Sequence, residues 1–355
     1  MKLKNNVFLI FFFFCLNNVF SNITFGGIEI GSKGVKITIL DVESAKKNIF
    51  TLKEFWTVNV GIARGISIDG NLATEDIDKA CNVVFENYTK LLNEYKIEDK
   101  NIFIVASSGV GIAKNTDALF DKIKNLTHKE IEVISAKLEA KLMFRGSIVK
   151  KYYLNSILLD IGGGNTKGGY VELKNEDINV FYPFNLNLGT ITLTEKINKD
   201  ITNKDDIDIF INKLATFEPV LDAEIKKMYF DRPEYKEKKN IYVSGGASWA
   251  FFTLSNLIAT ENFTEFKFED VQMYDLVLKN NFKKFTDLSA TNQEVARVLK
   301  TYSQKHLIAA NTILLNSLSN LGELENKKLY FVKQGQISWL LSYVADSAKG
   351  SKVIY

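Results

Sequence analysis

Three short glycine turns each follow an apolar run: Gly31-Ser32-Lys33-Gly34, Gly162-Gly163-Gly164-Asn165-Thr166, and Gly245-Gly246-Ala247 after Ser244. Glycine lets successive backbone N–H groups converge on an anion, because positive φ costs it little and no side chain blocks approach. Taken singly, each is an ordinary hairpin or loop turn. Taken in order, with an acid-Ile-Gly start at both Glu29-Ile30-Gly31 and Asp160-Ile161-Gly162, they read as candidate phosphate cradles. Lys33 inside the first turn is either a second cation at the phosphate position or an exposed lysine at a hairpin tip. Only His128 and His306 are present, which argues against a histidine-built zinc site and against a Ser-His-Asp triad.

The chain that must position these turns has 355 residues, 46% hydrophobic and 25% charged, enough for two domains with ordinary cores. It opens with Lys2 and Lys4, an apolar run from Val7 to Leu16, and Val19-Phe20-Ser21. About ten apolar residues are too few to span a bilayer, so the stretch reads as a signal peptide cut near Ser21. An uncleaved anchor is the alternative. The expected location is therefore extracytoplasmic, periplasmic or secreted, with no transmembrane span after cleavage. Cleavage would leave 43 basic and 42 acidic residues, which gives no general pull toward nucleic acid or membrane, so any anion binding is local. Cys81 would be the only cysteine left, with a buried packing role and no intramolecular disulfide.

Periodicity places a strand, turn and strand over residues 25–42 and again over 156–174, a duplicated β-hairpin unit. Between them, Ile77, Ala80, Val84, Tyr88, Leu91 and Tyr95 lie at helical steps behind Thr74 as N-cap. Strands at 101–108 and 130–135 alternate with helices at Asp117–Leu126 and Lys137–Arg145. Further on come helices at 204–215 and 217–228, a charged solvent-facing connection at 231–239, and a strand at 240–243. Gly245 then opens a helix to about Ala259, and the rest is mainly helical with a strand at Lys328–Val332. The alternation implies an α/β layer architecture.

The order of motifs resembles the actin-like and sugar-kinase-like phosphate clamps, and the Ppx/GppA (exopolyphosphatase and guanosine pentaphosphate phosphatase) family in particular. The segment IEVISAKLEAKLMFRG (131–146) is similar to that family's strand-to-helix segment, and LLDIGGGNTKGG to its Asp-Ile-Gly-Gly-Gly loop. Asn187-Leu188-Gly189 with Leu193-Thr194-Glu195, and the loop at Tyr242–Ala247, resemble two further stretches. The resemblance implies duplicated actin-like (ribonuclease H-like) domains around an interdomain cleft. The expected division is 1–21 signal peptide, 22–146 domain I, 147–345 domain II with helical elaborations, and 346–355 tail. By position, the family's general base on the attacking water falls on Glu139, whose alternative is an ordinary solvent-facing helical glutamate. Asp160, with Glu29 in the first hairpin, would anchor a divalent cation such as Mg²⁺, or Asp160 would cap the turn. Phosphate would lie against Gly31, Ser32, Lys33, Gly34, Gly162, Gly163, Gly164, Asn165, Thr166, Lys167, Gly245 and Gly246.

Three positions depart from the family pattern: Lys167 stands where a metal-associated glutamate is expected, Glu29 for an aspartate, and Gly111 for an arginine. A glutamate-to-lysine change weakens Mg²⁺ binding, so either the ammonium substitutes for metal charge or catalysis is lost. Two functions follow. One is an extracytoplasmic phosphoanhydride hydrolase that releases terminal phosphate from polyphosphate or a related polyanion. The other is a catalytically degenerate clamp that binds an anionic ligand or a protein partner. No nucleic-acid specificity is expected, and self-association as a homodimer is open.

Overall fold

The computed structural model describes residues 23–349 apart from 45–48, 175–177, 200, 202, 204–205, 231–232 and 256–262, so the signal peptide expected at residues 1–21 lies outside the described residues. Two sheets are built alike. The first holds β1 (Ile23–Ile30), β2 (Gly34–Ser44), β3 (Ile49–Asn59), β4 (Ile102–Ala106) and β5 (Glu132–Val133), in the order β3-β2-β1-β4-β5. The second holds β6 (Ser156–Ile161), β7 (Thr166–Lys174), β8 (Ile178–Leu186), β9 (Asn240–Ser244), β10 (Phe263–Phe266) and β11 (Lys328–Val332), in the order β10-β11-β9-β6-β7-β8. In each, an antiparallel three-strand meander is extended by parallel strands, β4 beside β1 and β9 beside β6. This is the duplicated actin-like α/β architecture.

Two helices lie between the sheets. Ala136–Ser147 begins at Ser135, whose side chain accepts from the Leu138 N–H, and buries Ala140, Leu142, Met143 and Phe144. Gly335–Ser347 packs along it and against β1 and β2, and runs through the boundary expected at 345. Gly146 permits that approach, since a Cβ there would sit 2.6 Å from the Ser338 carbonyl oxygen and 2.6 Å from Ser342 Oγ. The Arg145 guanidinium grips the Asp346 carboxylate at 2.9 and 3.1 Å. Around Phe144 and Trp339 one apolar cluster joins Phe25, Leu40 and Val105 of the first sheet to Leu158, Val171 and Tyr242 of the second. Separate cores fill each half.

Several local expectations are corrected. β3, β8 and β10 are strands that the sequence reading omitted: β3 is bulged at Lys53, between Leu52 opposite Leu40 and Glu54 opposite Ile39, β8 contains Pro183, and β10 is four residues long. The two helices around 204–228 are one, Ile207–Phe230, which carries Pro219 inside it because Phe210, Leu214, Leu221 and Ile225 bury one continuous stripe. The N-cap of the helix Thr74–Asn93 is Ala73, not Thr74. The helix at Gly245 ends at Leu254, and β5 spans two residues. The charged connection is not simply solvated. Tyr235 is buried against Tyr229, and Lys238 reaches inward to donate to the carbonyls of Leu154 (2.9 Å) and Val171 (3.1 Å). Cys81 is buried as expected, and burial pushes its thiol up to about 11. No helix among the described residues is long and apolar enough to cross a membrane.

Candidate phosphate-clamp site

Equivalent loops of the two halves meet at one cleft. From the first half come the β1–β2 turn and the Ser107-Ser108-Gly109 loop after β4; from the second, the β6–β7 turn and the Ser244-Gly245-Gly246 loop after β9. The tips nearly touch: a Cβ on Gly109 would lie 2.3 Å from Ser32 Oγ, and one on Gly164 would lie 2.9 Å from the same atom. Gly245 has φ +92, and a Cβ there would lie 2.4 Å from the Ile161 carbonyl oxygen, so only glycine fits. The cleft encloses about 670 Å³.

The three glycine carbonyls of the second turn are taken by the start of the helix Thr190–Asn198, while the Asn165 carbonyl accepts from the Gly162 N–H at 3.0 Å and closes the turn. Gly162 O accepts from Thr190 N–H (2.9 Å), Gly163 O from Ile191 N–H (2.8 Å), and Gly164 O from Thr192 Oγ1 (3.0 Å). A trans peptide holds its N–H antiparallel to its C=O, so the amides of Gly163 and Gly164 point away from that helix. Such an array of amides is what an anion requires.

At the floor of the cleft, Glu139, Asp160 and Lys167 are 3, 4 and 3% exposed. Lys167 Nζ lies 2.8 Å from Glu139 Oε1, 3.0 Å from Asp160 Oδ2, and 3.3 Å from Asn165 Oδ1. Glu139 Oε2 accepts from Ser108 N–H (2.9 Å) and Ser108 Oγ (2.6 Å), and Asn165 Nδ2 donates to Ser108 Oγ (3.1 Å). Glu139 is therefore a buried cleft residue held by both halves, not a solvent-facing helical one. Burial lowers the Lys167 pKa, but the Glu139 and Asp160 carboxylates outweigh it, and the ammonium is held above the ordinary lysine value.

The first hairpin repeats the arrangement. Lys36 Nζ lies 2.9 Å from Glu29 Oε1, and Glu29 pairs with Lys36 across β1–β2 as Asp160 pairs with Lys167 across β6–β7. Burial pushes the Glu29 carboxyl up to about 7, against the pull of Lys36 and with the help of Glu139. Lys33 is not a free hairpin tip: it is half-buried, its ammonium 4.9 Å from the Tyr302 ring centroid, and burial with the neighbouring Arg64 lowers it to about 8. Burial and Lys33 together lower His306 to about 4.

Of the expected residues, Glu29, Gly31, Ser32, Lys33, Gly34, Glu139, Asp160, Gly162, Gly163, Asn165, Lys167, Gly245 and Gly246 line the cleft. Gly164 packs against Gly109 instead, and the Thr166 hydroxyl turns away to donate to the Leu188 carbonyl at 2.8 Å. At Gly111, a Cβ would lie 2.5 Å from Cγ1 of the exposed Val133, so a side chain there requires Val133 to turn aside. The Mg²⁺ expectation also fails a donor test. Glu29 is paired with Lys36 and Asp160 with Lys167, and no group of three His, Cys, Asp or Glu among the described residues could hold a metal ion. Sequence reasoning missed Ser108, Lys36 and Tyr302. Two signals were available: Ser107-Ser108-Gly109 follows its strand as Ser244-Gly245-Gly246 follows β9, and a lysine stands seven residues after each acid.

A profile of the Ppx/GppA phosphatase family matches residues 42–230, more than half of the chain. The chain belongs to the Ppx/GppA phosphatase family. Two curated relatives are similar to it at low identity. The bifunctional 3-dehydroquinate synthase/phosphatase of Fusobacterium nucleatum is 28% identical over 181 residues, covering 50% of this chain and 26% of that protein. The guanosine-5'-triphosphate,3'-diphosphate pyrophosphatase of Pseudoalteromonas translucida is 25% identical over 209 residues, covering 58% and 38%. The matched region thus spans less than two fifths of either relative. Among solved structures, an exopolyphosphatase-like protein superposes with a TM-score of 0.70 at 17% identity, covering 92% of this chain and 99% of that one. The Ppx/GppA protein of Aquifex aeolicus gives 0.61 at 18% identity, covering 93% and 99%. At such identities these likenesses establish the fold.

Proposed function

We propose that this Ppx/GppA chain hydrolyses phosphoanhydrides in the exopolyphosphatase manner, releasing terminal phosphate from polyphosphate or a related polyanion. The observation that carries this reading is the convergence of Glu139 with the glycine loops of both halves on one cleft. Five cations, Lys33, Lys36, Lys167, Arg297 and Lys300, line it against the three acids Glu29, Glu139 and Asp160, so the space favours an anion. The loop amides hold the terminal phosphoryl group. Glu139 takes a proton from a water as the water oxygen bonds to the terminal phosphorus; the bridging P–O bond breaks, and its electron pair leaves with the shortened chain. Lys33 and Lys36 offset charge on the oxygens. An extracytoplasmic site of action rests on the leader sequence alone.

A second reading, an anion-binding clamp without turnover, is favoured by one observation: three donors already hold Glu139. Incubating residues 22–355 with long-chain polyphosphate separates the two. Orthophosphate as the only short product, with chains shortened from their ends, supports the hydrolase; retention of polyphosphate without any orthophosphate supports the clamp.

A further inference from the structure

The acids and lysines of the two hairpins form a duplicated pattern that the family reading does not contain. In sequence it is acid-Ile-Gly with lysine at the eighth place, Glu29 to Lys36 and Asp160 to Lys167. In the structure each acid lies directly across its hairpin from its lysine, and each pair is in contact, at 2.9 and 3.0 Å. Lys167 goes further and touches three oxygens, those of Glu139, Asp160 and Asn165, which uses all three of its N–H donors. Three oxygens from the two facing halves around one buried positive centre are what a bound divalent cation would gather.

We infer that Lys167 is a built-in substitute for a divalent cation, seconded by Lys36 in the other hairpin, and that the cleft works without resident Mg²⁺. Each lysine carries one positive charge, so together they supply the charge of one divalent ion, split between the two hairpins. The ammonium of Lys167 holds Glu139 and Asp160 in fixed relation, the positioning task of a metal. A divalent ion entering beside it would meet like charge and carboxylates already engaged, so its binding is opposed. Lys167 in this role is a positioning residue: its donors are spent on protein oxygens, and substrate oxygens are left to the loop amides, Lys33 and Lys36.

This inference concerns the same cleft as the phosphatase reading, but its test uses no substrate, so either can fail without the other. The probe is Mn²⁺ alone, followed by loss of the free-ion electron paramagnetic resonance signal on titration into residues 22–355. Wild-type protein is expected to bind no stoichiometric Mn²⁺. Lys167→Ala, which uncovers the two carboxylates and the Asn165 oxygen, is expected to bind one Mn²⁺ at least about tenfold more tightly than wild type. Where the alanine variant folds only with metal, that rescue, read by circular dichroism, is the same result. Lys167→Gln, one atom shorter and neutral but still able to donate, serves where alanine does not fold. Stoichiometric Mn²⁺ binding by wild type overturns the inference, as does a folded Lys167 variant that gains no Mn²⁺.

Discussion

Lys167 and Lys33 show how burial turns an ordinary side chain into part of a site. Removing the ammonium of Lys167 would leave Glu139 and Asp160 facing each other inside the protein, a change that costs about 3–5 kcal/mol when one partner of a buried ion pair is deleted. Lys33 titrates at about 8, lowered first by burial and then by Arg64. Binding of an anion beside it favours the charged form, so affinity is full below that value and is lost as pH rises through it. Wild-type affinity for tripolyphosphate, divided by that of Lys33→Arg to cancel the ligand's own ionisation, is expected to fall about tenfold between pH 7 and 9, because arginine stays charged. A flat ratio by isothermal titration calorimetry would remove Lys33 from the binding surface. At this scale the sequence was legible where glycine and acid share a motif: Glu29, Asp160 and both turns were found. Ser108 and Lys36 were not, because each acts through a partner distant in sequence or across a strand, and the signals they leave show only when the two halves are set side by side. The aromatic partner of Lys33, Tyr302, stands far along the chain for the same reason.

At the scale of elements, the hairpins, the strands β4, β6, β9 and β11, and the helix that carries Glu139 could be read from periodicity and glycine punctuation. The strands β3, β8 and β10 escaped because the first is bulged at Lys53, the second includes a proline and the third has four residues. The role of the last helix escaped for a different reason. Gly335–Ser347 reads as one more apolar helix, and nothing local says that it lies between the sheets beside Ala136–Ser147. That contact fixes the helix that carries Glu139, and it depends on the missing side chain of Gly146. Gly146→Val places carbon against the Ser338 backbone oxygen, so the helices must separate. The expected cost is about 1–3 kcal/mol by urea denaturation, the range of an overpacked core, with phosphate release falling as Glu139 shifts. An unchanged denaturation midpoint would show that the helix pair is not close-packed in solution. Arg145 and Asp346 brace the same pair from the side, at 2.9 and 3.1 Å.

Across the whole molecule, two copies of one unit turn equivalent loops toward a shared space, and the network at its floor draws on both copies. The first half supplies Glu139 and Ser108; the second supplies Asp160, Lys167 and Asn165. Further ties across the halves are the Gly65 N–H donating to Glu195 Oε1 at 3.2 Å and Asn59 Nδ2 donating to Thr301 Oγ1 at 3.3 Å. Anion attraction in such a cleft is partly screened by salt, so tripolyphosphate affinity is expected to weaken steadily from 0.05 to about 0.5 M NaCl, where the Debye length falls well below the width of a cleft. The central claim is that Glu139 activates water in this cleft. Its most direct measurement is the rate of phosphate release at saturating polyphosphate by wild type and by Glu139→Gln, with polyphosphate binding measured on both. The account predicts a loss of at least about 100-fold in rate with affinity kept within severalfold, since glutamine preserves size and an acceptor but takes no proton. Equal rates in the two proteins would contradict it.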